Sequence, residues 1–240
     1  MNDIVFIHGA YHGTWCWEEN FLKIFKEKGY KTHCPELRIS RKEEKKNTLL
    51  EAYVENLFQF VKTLEGRTVL VVHSAYSIVV LEYLNKYSET VESVIFISPL
   101  PVRLEFPRVL LSGIRQLMLG QKKVFFSDRL SNQIAEEYLR KLGTEEGGFI
   151  IETSKNHWKK KDKFPIPALF AGSENDNCIK AEWVRETAKG LGCDCIIYEK
   201  LCHDMMLDPA AVEVAGDIVQ FVEKLKGKEM ENRGEAGIVC

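Results

Sequence analysis

The run Thr68–Val72 (TVLVV) constrains the fold more than any other segment of this chain. A strand with one wet face alternates apolar and polar residues, whereas this one is apolar or β-branched at every position. It is therefore expected to be covered on both faces, and it is too short to be a buried helix. Two-sided burial needs helices above and below the sheet, supplied by strand–helix–strand crossovers. The fold class that follows is α/β, with a mostly parallel, doubly wound sheet and helices on both faces. The remaining segments fit that plan. Ile4–Ile7, Lys31–Pro35, Ser93–Ile97, Ala168–Ala171 and Cys195–Tyr198 read as further strands. Trp17, Phe21, Ile24 and Phe25 share one helical face that stops at Gly29. Asn47 is placed to cap a long helix carrying Leu50, Tyr53, Val54, Leu57, Phe58 and Val61, and Ser77–Tyr87 reads as another helix. The last begins with Asp208 as N-cap and Pro209 in its first position, and is expected to end near Gly227.

Between Pro101 and Pro165 the alternation fails. Two helical patterns, Phe106–Leu119 and Ser127–Leu142, precede Gly147-Gly148 and the charged run Lys159–Lys163. A chain of 240 residues buries one domain-sized core. The reading is one domain over 1–240, with a helical cap inserted at about 101–164. Phe106, Leu117, Met118, Tyr138 and Trp158 are its candidates for lining a pocket. The tail 228–240 has little to bury and is expected to be disordered.

A net charge of −2 gives no bias toward nucleic acid or anionic membrane. No run approaches the roughly 20 apolar residues of a membrane-spanning helix, and Met1 leads straight into a strand without the features of a secretory leader. The seven cysteines are an odd number, which suits reduced thiols and a cytoplasmic protein. Cys193, Cys195, Cys202 and His203 lack the paired short spacings of a zinc site, so no metal is expected.

The chemistry-bearing residues fall at strand ends. Ser74 follows TVLVV through His73 and precedes a helix, a junction that exposes the hydroxyl on a sharp turn and offers helix N–H groups beside it. A plain N-cap serine is the competing reading. Asp176 lies beyond Ala168–Ala171 in Gly172-Ser-Glu-Asn-Asp, and His203 follows the next strand. Each alone suits a turn or a surface loop. Together they give the order serine, acid, histidine at successive strand ends, where ligands bind in open α/β sheets. In that arrangement His203 takes the Ser74 proton, Asp176 sets the imidazole tautomer, and the N–H groups of Ala10 and Ala75 receive the oxyanion. His12 is placed either at the pocket mouth or in a structural hydrogen bond. Trp15 and Trp17 suit core anchors.

The loop His8-Gly-Ala-Tyr-His-Gly-Thr-Trp-Cys-Trp17 resembles that of the α/β-hydrolase superfamily. Within it, the loop is similar to the small branch of plant methyl-ester esterases and hydroxynitrile lyases with bacterial relatives. Weaker matches at Val72–Ser77, Ser173–Asp176 and His203–Pro209 extend the resemblance over nearly the whole chain outside the cap. It implies an α/β-hydrolase fold trimmed at its amino end and no metal or organic cofactor. By position it implies Ser74, Asp176 and His203 as the triad, with Ala10 and Ala75 at the oxyanion donors. The lyases carry threonine where Ala10 stands and lysine where Asp204 stands, so the resemblance favours ester hydrolysis.

One departure bears on activity. The superfamily pattern Gly-x-Ser-x-Gly reads here Val72-His-Ser-Ala-Tyr76, and the small residues that let strand and helix approach are absent. Tyr76 is thus a candidate to shift the elbow as well as to contact substrate, with His12, Leu117, Met118 and Trp158. The sequence therefore supports a hydrolase of small, fairly apolar carboxylic esters. A thioesterase, lactonase or carbon–carbon hydrolase would use the same residues. The alternative from another class is a ligand-binding protein that has lost turnover.

Overall fold

The computed structural model describes residues 3–37, 48–102, 118–145, 147–153 and 164–236. Six strands form one sheet: β1 (Asp3–Ile7), β2 (Lys31–His33), β3 (Thr68–His73), β4 (Val91–Ile97), β5 (Ala168–Ser173) and β6 (Asp194–Tyr198). All pairings are parallel, in the order β2-β1-β3-β4-β5-β6. From β1 the chain steps to one edge, returns to the far side of β1, and then advances strand by strand. The reversal lies between β1 and β3, and the crevice at their carboxyl ends is where such sheets bind ligands.

The two-residue period of the strands sorts side chains between two cores. Val5, Ile7, Leu70, Val72, Val94 and Phe96 face one layer. That layer contains α3 (Leu49–Val61), α4 (Ser77–Tyr87) and α7 (Ala181–Leu191). Ile4, Phe6, Val69, Val71, Ile95 and Ile97 face the other. There they meet α1 (Trp15–Glu18), α2 (Phe21–Glu27) and α8 (Ala211–Ala236). Every residue of β3 is buried, as the uninterrupted apolar run requires.

Several boundaries differ from the sequence expectation. Thr48, rather than Asn47, is the N-cap of α3: its side chain accepts from Glu51 N–H, and Glu51 reaches back to Thr48 N–H. Such a capping box contributes about 1 kcal/mol. Residues 127–130 form no helix, and α5 runs Asn132–Lys141 from a Ser131 cap. Gly147-Gly148 opens α6 (Gly147–Thr153). A Cβ on Gly148 would stand 2.9 Å from Leu49 Cδ1, so that glycine permits close packing against α3. Asp208 still accepts from Ala210 N–H (2.9 Å), but α8 itself begins at Ala211 and continues through Gly227 to Ala236. The expected disordered tail is thus helical over 228–236. Asn47, Phe106, Leu117, Trp158, Lys159–Lys163 and Cys240 lie outside the described residues.

Candidate active site

The turn after β3 departs from ordinary backbone geometry. Ser74 has φ +54°, in the left-handed region that L-residues rarely adopt, and α4 follows after one 3₁₀ turn over Ser74–Tyr76. This strain lifts the Ser74 side chain off the strand end. Gly9, in the loop after β1, makes room for it: a Cβ there would fall 2.6 Å from His73 Nδ1 and 3.0 Å from Ser74 Cβ.

Asp176 and His203 come to the same point from the ends of β5 and β6. His203 Nε2 lies 2.9 Å from Ser74 Oγ, and His203 Nδ1 lies 2.9 Å from Asp176 Oδ2. The other oxygen, Asp176 Oδ1, accepts the N–H groups of Cys178 (2.7 Å) and Ile179 (2.8 Å). The carboxylate is therefore held from two sides before it meets the ring. The backbone of His203 is held as well, its carbonyl accepting from Ser98 Oγ (3.1 Å) and His73 Nε2 (3.2 Å). Burial is the largest single influence and works against a charged His203, yet Asp176 and Cys178 together outweigh it and raise the imidazole well above its ordinary pKa. Burial, with the nearby His203 and His12, drives His73 well below its ordinary value.

Ala10 and Ala75 flank Ser74 from the first loop and from the 3₁₀ turn, and both are buried. The N–H of Ala10 makes no hydrogen bond among the described residues. Tyr76 does not shift the elbow out of reach of His203. Its ring is 2% exposed and packs against His8, Tyr53 and Phe149 with centroids 5.0–5.2 Å away. Its hydroxyl is hydrogen-bonded with Tyr53 and Glu145, and burial raises its pKa far above the usual tyrosine value. The space that the motif's second glycine leaves open is here filled by an aromatic cluster.

The remaining candidates fare differently. His12 sits beside the triad, buried against Trp15 and Phe125. Met118 is 83% exposed, and residues 103–117 before it lie outside the described residues. Trp17 is fully buried, and Tyr138 packs between Trp15 and Phe126. Cys193, Cys195 and Cys202 form no disulfide among the described residues and differ widely in exposure. Among the described residues, the one grouping able to hold a metal is His12, His73 and Asp204, two of which the sequence reading did not weigh for chemistry. Their adjacency to Ala10, Ser74 and His203 in the chain was the available signal. A cleft of about 400 Å³ lined by Phe164, Ala168, Asp194 and Phe221 opens at the opposite, amino end of β5 and β6.

The model of one protein family matches residues 4–215. The chain belongs to the alpha/beta hydrolase family. No curated protein matches its sequence. Solved structures share the fold at low identity. Rv0554 of Mycobacterium tuberculosis is 16% identical, with TM-score 0.73 over 93% of this chain and 90% of that one. The esterase EaEST of Exiguobacterium antarcticum is 12% identical, with TM-score 0.72 over 93% and 92%. The Arabidopsis methylesterase MES16 is 16% identical, with TM-score 0.70 over 93% and 99%. At these identities the likeness concerns the fold.

Proposed function

We propose that this alpha/beta hydrolase is a serine esterase that cleaves small, fairly apolar carboxylic esters through an acyl-enzyme on Ser74. The observation that carries the reading is the continuous relay from Asp176 through His203 to Ser74, with both links at 2.9 Å. A serine hydroxyl alone is a weak nucleophile, and an adjacent base oriented by a third group is what activates it.

His203 removes the Ser74 proton as Oγ attacks the ester carbonyl. Asp176 accepts from Nδ1–H, so that Nε2 faces the serine as the base, and it stabilises the imidazolium that forms. The tetrahedral oxyanion is received by the N–H groups of Ala10 and Ala75. Each such donor is typically worth about 3 kcal/mol in the transition state. The imidazolium returns its proton to the leaving alkoxide, and the neutral imidazole so formed takes a proton from the water that releases the acid. A thioester, lactone or activated carbon–carbon bond would pass through the same steps, so the leaving group is for assay to assign. The esterases EaEST and MES16 among the structural relatives favour oxygen esters. The free thiols suit a reducing compartment such as the cytoplasm.

The test is a fluorophosphonate probe together with p-nitrophenyl esters of increasing acyl length, on the wild-type chain and its Ser74→Ala variant. Labelling and turnover present in the first and absent in the second are expected. A folded wild-type chain that neither labels nor turns over any ester would remove the reading.

A further inference from the structure

A second buried acid–histidine pair lies directly behind the triad. His12 Nε2 is 2.9 Å from Asp204 Oδ2, with side-chain exposures of 1% and 0%. His12 Nδ1 is 2.8 Å from the carbonyl oxygen of Ala10. A carbonyl only accepts, so Nδ1 carries a proton. Nε2 faces a carboxylate oxygen at hydrogen-bond distance, so a second proton lies in that contact. The pair therefore holds one proton more than a neutral imidazole beside a carboxylate would, and its net charge is zero.

The three residues of this cluster are each joined in the chain to a part of the proposed machinery. Asp204 follows His203, His73 precedes Ser74, and His12 lies two residues beyond Ala10. His73 Nε2 donates to the His203 carbonyl (3.2 Å) and stands 3.6 Å from Asp204 Oδ1. The first loop is gripped at both carbonyls flanking Ala10. Gly9 O accepts from His12 N–H (3.2 Å) and His8 Nδ1 (2.9 Å), and Ala10 O accepts from His12 Nδ1. A trans peptide is planar, with its C=O and N–H pointing opposite ways. Gly9 O, held by His8 and the His12 main chain, fixes the peptide that carries the Ala10 N–H, and the His12 ring fixes the following peptide through Ala10 O, so the conformation of Ala10 is set from both sides. Trp15, stacked on the His12 ring at 5.6 Å, and Phe125, edge-on at 5.5 Å, leave that ring no other place.

We propose that His12 and Asp204 are positioning residues: a charge-neutral, doubly protonated clamp that aims the Ala10 N–H at the developing oxyanion and ties that loop to the one bearing His203. The clamp rests on the serine-esterase reading. It acts on the transition state more than on substrate binding, because the donor it aims matters most when negative charge has formed.

Neutrality gives the clamp a distinctive test. In Asp204→Asn the amide N–H donates to Nε2 of an imidazole that has shed one proton, and the bond to Ala10 O survives with net charge still zero. In Asp204→Leu and His12→Phe the clamp is broken. The experiment measures kcat, KM and the fluorophosphonate labelling rate for wild type and the three variants. Each is normalised to the folded fraction from chemical denaturation, and bound metal is determined by elemental analysis. Expected is a loss of about 10- to 100-fold in kcat and labelling for His12→Phe and Asp204→Leu, with KM little changed. Asp204→Asn recovers most of that loss. Folded His12→Phe with wild-type kcat, or a loss confined to KM, overturns the clamp. So does Asp204→Asn as damaging as Asp204→Leu, which would make the carboxylate's charge the active feature; this comparison stands even if His12→Phe does not fold. One metal ion per chain would replace the proton pair by a coordination site and overturn it too. A wild-type chain without labelling or turnover removes the esterase reading and the clamp together, whereas a labelling wild type with unimpaired variants removes the clamp alone.

Discussion

Replacing Asp176 by asparagine changes one atom in a buried site, and the structure says which way the new amide faces. Oδ1 accepts two backbone N–H groups, from Cys178 at 2.7 Å and Ile179 at 2.8 Å. Turning the amide nitrogen toward those donors would lose both bonds and oppose like groups, a cost of about 2 kcal/mol or more. The carbonyl oxygen of the asparagine therefore stays at the Oδ1 position, and the NH₂ group occupies that of Oδ2, 2.9 Å from His203 Nδ1. It donates to Nδ1, which must then be the unprotonated nitrogen. The ring proton moves to Nε2 and points at Ser74 Oγ, where a base is needed. The variant keeps its shape and its backbone hydrogen bonds and loses the tautomer. An inverted tautomer in a serine triad costs about 10⁴-fold in kcat, equivalent to about 5–6 kcal/mol of barrier. The assay is steady-state hydrolysis of a p-nitrophenyl ester beside the fluorophosphonate labelling rate, with circular dichroism as the control for folding. Both rates should fall by a similar factor. A folded Asp176→Asn protein within tenfold of wild type would show that Asp176 does not set the tautomer of His203, and the mechanism proposed above would lose its orienting group.

Other expectations follow from the same geometry. Gly9→Ala drives a methyl group to 2.6 Å from His73 Nδ1 and 3.0 Å from Ser74 Cβ; it should lower Tm by a destabilisation of about 1–3 kcal/mol and reduce kcat/KM more than tenfold, read by thermal melting and ester hydrolysis. Because Asp176 raises His203 against the effect of burial, kcat/KM should climb with pH to a plateau, with its half-rise above pH 6.5. The His203–Asp176 contribution to folding has the opposite slope: it is complete below the unfolded pKa of His203 and is lost as pH rises through the folded one, which urea titrations at several pH values would detect. Tyr76→Gly restores the family glycine but empties a site that is 2% exposed, and should destabilise by about 3–5 kcal/mol in a urea titration rather than improve the enzyme.

The parallel sheet, the strand ends and the three residues of the candidate triad were legible because each depends on local pattern. TVLVV cannot be a half-exposed strand; Ser74 and Asp176 follow fully buried strands, and His203 follows the half-buried edge strand β6. Less legible were features made by contact between distant segments. Gly147-Gly148 opens α6, and Gly148 lies close to the Leu49 side chain, a contact no local pattern announces. The continuation of α8 through Gly227 shows a single glycine, costing about 1 kcal/mol, being outweighed by the helix around it. Tyr76 looked like an obstruction, because its accommodation lies in residues 23 and 73 positions away. The clamp was hidden for the same reason: His12 and Asp204 are 192 residues apart, and their closeness in the chain to Ala10 and His203 does not say that they meet.

The aromatic filling around Tyr76 has a consequence for how such enzymes are found. A search keyed to glycine on both sides of the nucleophile would pass over this chain, although its serine retains the left-handed backbone. Filled volume, rather than the letter at that position, is what the packing of Tyr76, Tyr53 and Phe149 requires. Where a homologue returns to glycine at 76, its residues at 53 and 149 must grow or shift to reclaim the space, so the three positions should vary as a set. Covariation among them is a signature that could recover members of the family whose elbow no longer spells its motif.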